Sequence, residues 1–310
     1  MQTEKPPKII VICGPTGIGK TSAAIQLSQE FSGEIVSADS MQIYREMDIG
    51  TAKPTKTEQE RIPHHMINIV HPDELFDAAA FTKMADAVIR SLIQRSCLPF
   101  IAGGTGLYIK ALIHGLFRTR PADTGVISRF RKESDQFGSE ALHKQLAECD
   151  PQAAARIHPN DAFRIIRALE IFEATGKPIS VYHDLHRFSE KKYHALKIGL
   201  SCERETLYDR INQRVDMMLD QGLLGEVEQL LKKGYSTDLK SMQSLGYRHM
   251  TAYLAGKTTW DEAVDTMKRD TRRYAKRQLT WFKADPEIKW YTKDRIEEIR
   301  KEIRSFLFQC

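Results

Sequence analysis

Eight consecutive residues near the N-terminus, Gly14, Pro15, Thr16, Gly17, Ile18, Gly19, Lys20 and Thr21, fill every fixed position of the phosphate-cradling loop G-x-x-x-x-G-K-[ST]. The flanks supply the context that this loop needs. Lys8 to Cys13 is a short apolar run that reads as a buried strand, and Ser22 to Phe31 has helical spacing. Strand, glycine loop and helix together aim backbone N–H groups and the positive helix terminus at one anion. A chain with this feature is expected to grip a diphosphate or triphosphate, with Lys20 on the outer phosphate and the Thr21 hydroxyl on Mg²⁺. A glycine-rich turn with an incidental lysine would require none of these flanks.

The same alternation of apolar runs and helical stretches continues through the first hundred or so residues, the rhythm of a parallel α/β sheet. Glu34 to Ala38 reads as a second strand ending at Asp39, Ser40, Met41 and Gln42. The segment Ile62 to Val70 is expected to include another short strand, and Phe76 to Arg95 a helix. Leu98 to Ala102 is a strand entering the glycine turn Gly103 to Gly106. Ligands in open parallel sheets sit beyond the C-terminal strand ends, so the loops at 14–21, 39–42 and 103–108 are expected to ring one cleft.

From Phe117 to His194 the chain becomes charged, helical and strand-poor, which reads as an inserted helical domain. The expected division is a P-loop α/β core over 1–116 and 195–310, with the helical insert over 117–194. Ala195 to Leu200 returns to the sheet, followed by a long amphipathic helix through Arg214. The loop Ser244 to Arg248 is expected to lead into a basic helix, and Ile288 to Tyr291 and a helix from Asp294 to close the chain.

The 310 residues carry a formal net charge of +5, and its distribution matters more than its sum. Lys268, Arg272 and Lys276 form one helical row and Arg269, Arg273 and Arg277 the next, with Tyr274, Trp281 and Phe282 interleaved. This predicts a broad cationic face for a polyanion such as nucleic acid, against the simpler reading of a solvated helix. The N-terminus runs straight into the first strand without a signal peptide, and no apolar stretch approaches a bilayer span, so a cytoplasmic protein is expected. Five scattered cysteines, Cys13, Cys97, Cys149, Cys202 and Cys310, indicate neither a disulfide framework nor a zinc site.

Most P-loop proteins cleave or transfer a terminal phosphate and carry an aspartate at the end of a later apolar strand. Here that strand ends in Gly103, Gly104 and Thr105, and the N-K-x-D motif of GTPases is missing. The residue in a position to do chemistry is Asp39, at the tip of the second strand. A carboxylate there can take a proton from a nucleophile facing the bound phosphates. Capping of a turn or support of a metal is the structural alternative for it.

The residues now resemble a family. The P-loop, Asp39 to Tyr44, Asp48 to Pro54, Pro63 to His65, Gly103 to Tyr108, Arg164 to Glu170, Leu245 to Tyr247 and Ala275 to Phe282 are, in this order, similar to the tRNA dimethylallyltransferases (isopentenyl-tRNA transferases). The resemblance covers nearly the whole chain and is to the short bacterial type, without a C-terminal zinc finger. Phe163 departs from the polar residue that some bacterial relatives carry before the first arginine of the R-x-x-R pair.

The resemblance implies that the P-loop holds the diphosphate of dimethylallyl diphosphate as a leaving group, which explains the missing strand-end aspartate. It further implies transfer of the dimethylallyl group to the exocyclic amine of adenosine 37 in tRNA. Gly17, Gly19, Lys20 and Thr21 would then neutralise the departing diphosphate, Thr16 would line its pocket, and Arg214 matches a family arginine assigned to it. Asp39 would be the base, with Ser40 and Gln42 reading the adenine edge and Met41 beside them. Thr105 would be a wall or a hydrogen-bonding partner of the channel of a flipped base. Arg164 and Arg167 of the insert, with Arg273 and Arg277 of the basic helix, would grip the RNA. Mg²⁺ is the expected cofactor and a monomer the expected state. The rival from another reaction class is a small-molecule or nucleotide kinase with the helical insert as its lid.

Overall fold

A computed structural model describes residues 6–115, 124–186 and 191–308. The expected boundary at 116/117, residues 1–5 and Cys310 lie outside the described residues. The chain divides into two compact units, Met1–Ile113 with Lys191–Cys310, and His114–Glu190.

The first unit is built on a sheet. In chain order it runs β1 (Lys8–Cys13), α1 (Lys20–Glu30), β2 (Gly33–Ser37), α2 (Lys56–Arg61), β3 (His64–His65), α3 (Ala78–Gln94), β4 (Leu98–Gly103) and α4 (Gly106–His114). All six strands of the sheet are parallel, in the order β3-β2-β4-β1-β5-β6, where β5 (His194–Ser201) and β6 (Lys289–Thr292) come from the chain's return. β1 lies inside, with Ile10 paired to Phe100 of β4 and to Leu196 on its other side. Its side chains alternate between two cores: Ile9, Val11 and Cys13 enter one, Ile10 and Ile12 the other. Strands apolar on both sides are what a sheet covered by helices on both faces requires. The strand expected between Ile62 and Val70 is reduced to two residues, because the chain there pairs with β2 only at Ile35 and Val36.

The second unit holds α5 (Thr124–Phe137), α6 (Ser139–Cys149), α7 (Pro151–Arg156), α8 (Ala162–Thr175) and α9 (Ile179–His186), with no strand among its described residues. Phe130, Leu142, Leu146, Ile165 and Leu169 form a core of its own. Asp150 is a joint within it: one carboxylate oxygen caps α7 through Ala153 N at 2.9 Å and the other accepts Ser180 N at 2.9 Å.

The chain re-enters the sheet unit as β5 (His194–Ser201), then α10 (Arg204–Asp220), α11 (Leu223–Lys232), α12 (Tyr247–Leu254), α13 (Trp260–Lys283), β6 (Lys289–Thr292) and α14 (Ile296–Phe308). Just before β5, Lys192 N donates to Ile113 O at 2.9 Å, so departure and return are adjacent in the sheet unit. The expected loop before the basic helix is a turn over residues 244–246, and its last two residues, Tyr247 and Arg248, already belong to a short helix, α12, capped by Gly246 at φ +88°. α13 opens on a Thr259/Glu262 capping box and passes from one core to the other, burying Ala263 and Met267 in the first and Ala275 in the second. The described cysteines, Cys13, Cys97, Cys149 and Cys202, are free.

Candidate active site

The phosphate loop is a backbone device. Gly14, Gly17 and Gly19 take φ of +141°, +81° and +97°, values that L side chains rarely adopt. Space forbids a side chain at two of them as well, because a Cβ at Gly14 would lie 2.8 Å from Leu200 O and one at Gly17 2.9 Å from Ile211 Cγ1. Lys20 begins α1 and folds its ammonium back onto Pro15 O at 2.8 Å. Burial pushes its pKa down to about 8, against the opposing pull of the Asp39 carboxylate. Arg214 reaches the same loop from α10, donating to Thr16 Oγ1 at 3.4 Å. Burial also lowers the pKa of its guanidinium, and again Asp39 opposes the shift.

Asp39 follows β2. Its Oδ1 accepts Met41 N at 2.9 Å and Gln42 N at 3.4 Å, so one oxygen caps the turn while Oδ2 makes no hydrogen bond among the described residues. Turn capping and proton acceptance are therefore compatible in one carboxylate. Thr105 faces this turn from the end of β4: its N donates to Ala38 O at 3.1 Å, its Oγ1 accepts Ser40 N at 3.0 Å and donates to Ser40 Oγ at 3.3 Å. The glycines before and after it are packing requirements. A Cβ at Gly103 would fall 2.1 Å from Ala38 O, and one at Gly106 2.1 Å from Trp281 Cδ1.

These parts open onto one cavity of about 720 Å³ within the sheet unit. Its walls include Thr16, Gly17, Gly19, Lys20, Thr21 and Arg214 at the phosphate end and Asp39 to Gln42 beside them. Ile211, Val215, Met218 and Met267 give it an apolar stretch, while Arg248 and Arg277 add cations. Pro15 and Ile18 do not line it: Ile18 is a core residue, 1% exposed, and Pro15 contributes its carbonyl to Lys20. Thr105 is likewise one layer back, acting on Ser40 rather than on the cavity.

Two expectations are corrected here. Gln42 does not present a free amide to a base edge: its Oε1 accepts Ser37 Oγ at 3.0 Å and its Nε2 donates to Ala52 O at 3.2 Å. Nor is the basic helix a uniform cationic face. Lys268 is paired with Asp216 at 2.6 Å and Arg272 with Asn212 Oδ1 at 2.6 Å, both drawn onto α10. Arg273 and Arg277 remain exposed, Arg273 within 3.7 Å of Asp270 and Arg277 near the Tyr274 ring. In the helical unit Arg164 is exposed beside Asp161, whereas Arg167 is half-buried and bound to the buried Glu170 carboxylate.

Sequence reasoning missed the residues that assemble the site from a distance. Gln278 of α13 accepts Thr16 N at 2.8 Å and donates to Gly104 O at 2.9 Å, joining the phosphate loop to the glycine turn. Gly104 makes room for it, since a Cβ there would lie 2.3 Å from Gln278 Nε2. The signal was a lone amide on the buried stripe Ala263, Met267, Ala275, Gln278, Phe282. Of the residues that hold the loop after Asp39, Lys53 and Tyr247 fall within the family-like blocks but without a role assigned, and Glu226 carried no signal.

Residues 42–285 match the model of the IPP transferase family. A tRNA dimethylallyltransferase of Desulfosudis oleivorans is 56% identical over 302 residues, covering 97% of this chain and 96% of that protein. The crystal structure of the full-length tRNA isopentenylpyrophosphate transferase from Bacillus halodurans superposes with a TM-score of 0.73 at 42% identity, over 98% of this chain and 97% of that one. A eukaryotic dimethylallyltransferase acting on tRNA superposes with a TM-score of 0.78 at 31% identity, over 92% of this chain and 74% of that one.

Proposed function

The chain belongs to the IPP transferase family and is an enzyme that prenylates tRNA; from that premise we propose that it transfers the dimethylallyl group of dimethylallyl diphosphate to the exocyclic amine of adenosine 37. One observation carries the reading: the phosphate loop and Asp39 open onto the same cavity, with an apolar stretch between α10 and α13 suited to a five-carbon chain.

In the transfer, the bond between C1 of the dimethylallyl group and the diphosphate oxygen breaks, and its electron pair leaves with the diphosphate. The adenosine amine forms the new bond to C1 and gives up one proton, which the free Oδ2 of Asp39 accepts. The loop amides, Lys20 and Arg214 stabilise the charge that develops on the leaving group. Lys20 is suited to this because a dianionic or trianionic ligand restores the charge that burial disfavours.

The residues fit a Mg²⁺ ion held jointly with the diphosphate. The Thr21 hydroxyl lines the cavity, and no cluster of acidic, histidine or cysteine side chains among the described residues could hold a metal by itself. Such an ion would neutralise phosphate charge. Arg248 and Arg277 at the cavity, exposed Arg273, and Arg164 on the helical unit supply contacts for the RNA backbone. The protein acts as a monomer in the cytoplasm in this reading.

Incubation with radiolabelled dimethylallyl diphosphate and unmodified tRNA, followed by nucleoside analysis, is expected to give labelled N6-dimethylallyladenosine from position 37. Label elsewhere, or none, with ADP released from ATP, would replace this reading with the kinase one.

A further inference from the structure

The loop from Asp39 to Pro54 carries Asp39 at one end and the cavity-wall residues Gly50, Thr51 and Ala52 at the other, and one side chain outside the cavity grips it. Glu226 of α11 accepts four hydrogen bonds. Its Oε2 takes Asp48 N at 2.9 Å and Ile49 N at 2.8 Å, and its Oε1 takes Gly50 N at 3.2 Å and Tyr247 Oη at 2.6 Å. Three successive amides converging on a carboxylate form the kind of concavity that elsewhere captures an anion from solution. Here the anion is part of the protein.

We infer that Glu226 is a positioning residue for prenyl transfer, setting the loop that places Asp39 against the acceptor; this rests on the reading of Asp39 as the base. The contacts between the two carboxylates are continuous. Glu226 fixes the backbone of 48–50, the next two carbonyls, Thr51 O and Ala52 O, accept Gln42 Nε2 at 3.5 and 3.2 Å, and Gln42 N is one of the two amides on Asp39 Oδ1. The Gln42 Oε1 contact to Ser37 ties the same amide to the end of β2. Lys53 locks the far side of the loop: its buried ammonium donates to Tyr44 O at 2.7 Å, Asp48 Oδ1 at 2.5 Å and Asn68 Oδ1 at 2.6 Å.

The fit is tight enough to transmit a displacement. A Cβ at Gly50 would lie 2.4 Å from Tyr247 Cε2, and Tyr247 is fully buried, so the loop has no slack toward α12. Glu226 does not line the cavity, and its effect on substrate passes through the backbone. Exchanging one carboxylate oxygen for an amide NH₂ sets a donor against donors, whichever way the amide is turned.

The test compares Glu226→Gln and Tyr247→Phe with the unaltered enzyme in the labelled transfer assay, together with thermal unfolding and amide hydrogen exchange of the free proteins. Glu226→Gln is expected to stay folded and to lose about tenfold or more in kcat, while the KM for dimethylallyl diphosphate stays within about twofold, because a small misplacement of a reacting group slows the step without touching the phosphate loop. Tyr247→Phe removes one of four donors and is expected to lose less. Exchange should quicken both at 48–50 and at 39–42 in Glu226→Gln. An unchanged kcat, a joint loss of kcat, donor KM and thermal stability, or faster exchange confined to 48–50 would each overturn the assignment. Should the unaltered enzyme transfer no prenyl group, the functional reading fails by itself, and the exchange pattern still decides whether Glu226 holds the Asp39 turn.

Discussion

The phosphate end and the acceptor end of the cavity are made in opposite ways. The first centres on eight contiguous residues shaped by three glycines at positive φ, with Arg214 and Gln278 reaching it from α10 and α13. The second is a patchwork: Asp39 from beyond β2, Thr105 from beyond β4, and a loop pinned by Glu226 and Tyr247 from α11 and α12, with Gln278 of α13 joining it to the first. Converging amides make a concavity for an anion from local geometry in large part. Placing one amine against one carbon requires several elements to agree on a position, and the chain recruits residues more than two hundred positions apart to achieve it.

Asp39→Ala strikes the acceptor end at its chemistry and should lower kcat by roughly 10²–10⁴-fold while tRNA binding survives, measured by transfer and by filter binding. Unchanged turnover would remove Asp39 from the mechanism. Gly104→Ala strikes the joint between the two ends. Its Cβ would force Gln278 off both Thr16 N and Gly104 O, so stability should fall by about 1–3 kcal/mol in denaturant titration, and both donor and acceptor KM should rise together. An effect on only one of the two would separate the ends again.

A pH series addresses the phosphate end alone. In the free enzyme Lys20 loses its proton near pH 8, below the 10.5 of an ordinary lysine, so above pH 8 donor binding must take that proton back. Donor affinity should therefore fall by up to about tenfold per pH unit above 8. The free protein should show the opposite sign: the unfolded chain holds more protons between pH 8 and 10.5, so this lysine makes folding more favourable as pH rises through that window. Lys20→Met should flatten both dependences.

The smallest effect distinguishes the two rows of α13. Removing Arg273 or Arg277 should reduce the salt slope of tRNA affinity by about 0.7–0.9 each, whereas Lys268→Ala and Arg272→Ala should leave it unchanged because both side chains are held on α10. Equal slopes for all four would restore the uniform cationic face.

The contrast between the ends also explains what the sequence made legible. The form of the glycine loop, the interior strands and the place of Asp39 after the second strand could be read directly, because a fixed local pattern and an apolar run fold the same way in any chain of this class. Gln42 could not be read correctly, since its amide is turned away by Ser37 and Ala52, partners that become neighbours only when the loop closes. The doubled row of cations on α13 misled for a similar reason: periodicity gives the face of a residue but not the Asp216 or Asn212 that meets it. Glu226 was illegible because an acidic residue on an amphipathic helix looks the same whether it faces water or three amides of a loop folded far earlier in the sequence.

The hydrogen bond from Lys192 N to Ile113 O has a consequence for how such a chain is made. The stretch from His114 to Glu190 leaves and rejoins the sheet unit at neighbouring points, so it is a side loop whose own length scarcely constrains the sheet: doubling it would add only about 0.6 kcal/mol of closure entropy. β5 can find its place beside β1 whether the helices between are folded or unfolded. The helical unit is thereby free to lengthen, shorten or be exchanged over evolutionary time, and the chemistry at the strand ends need not be reinvented when it is.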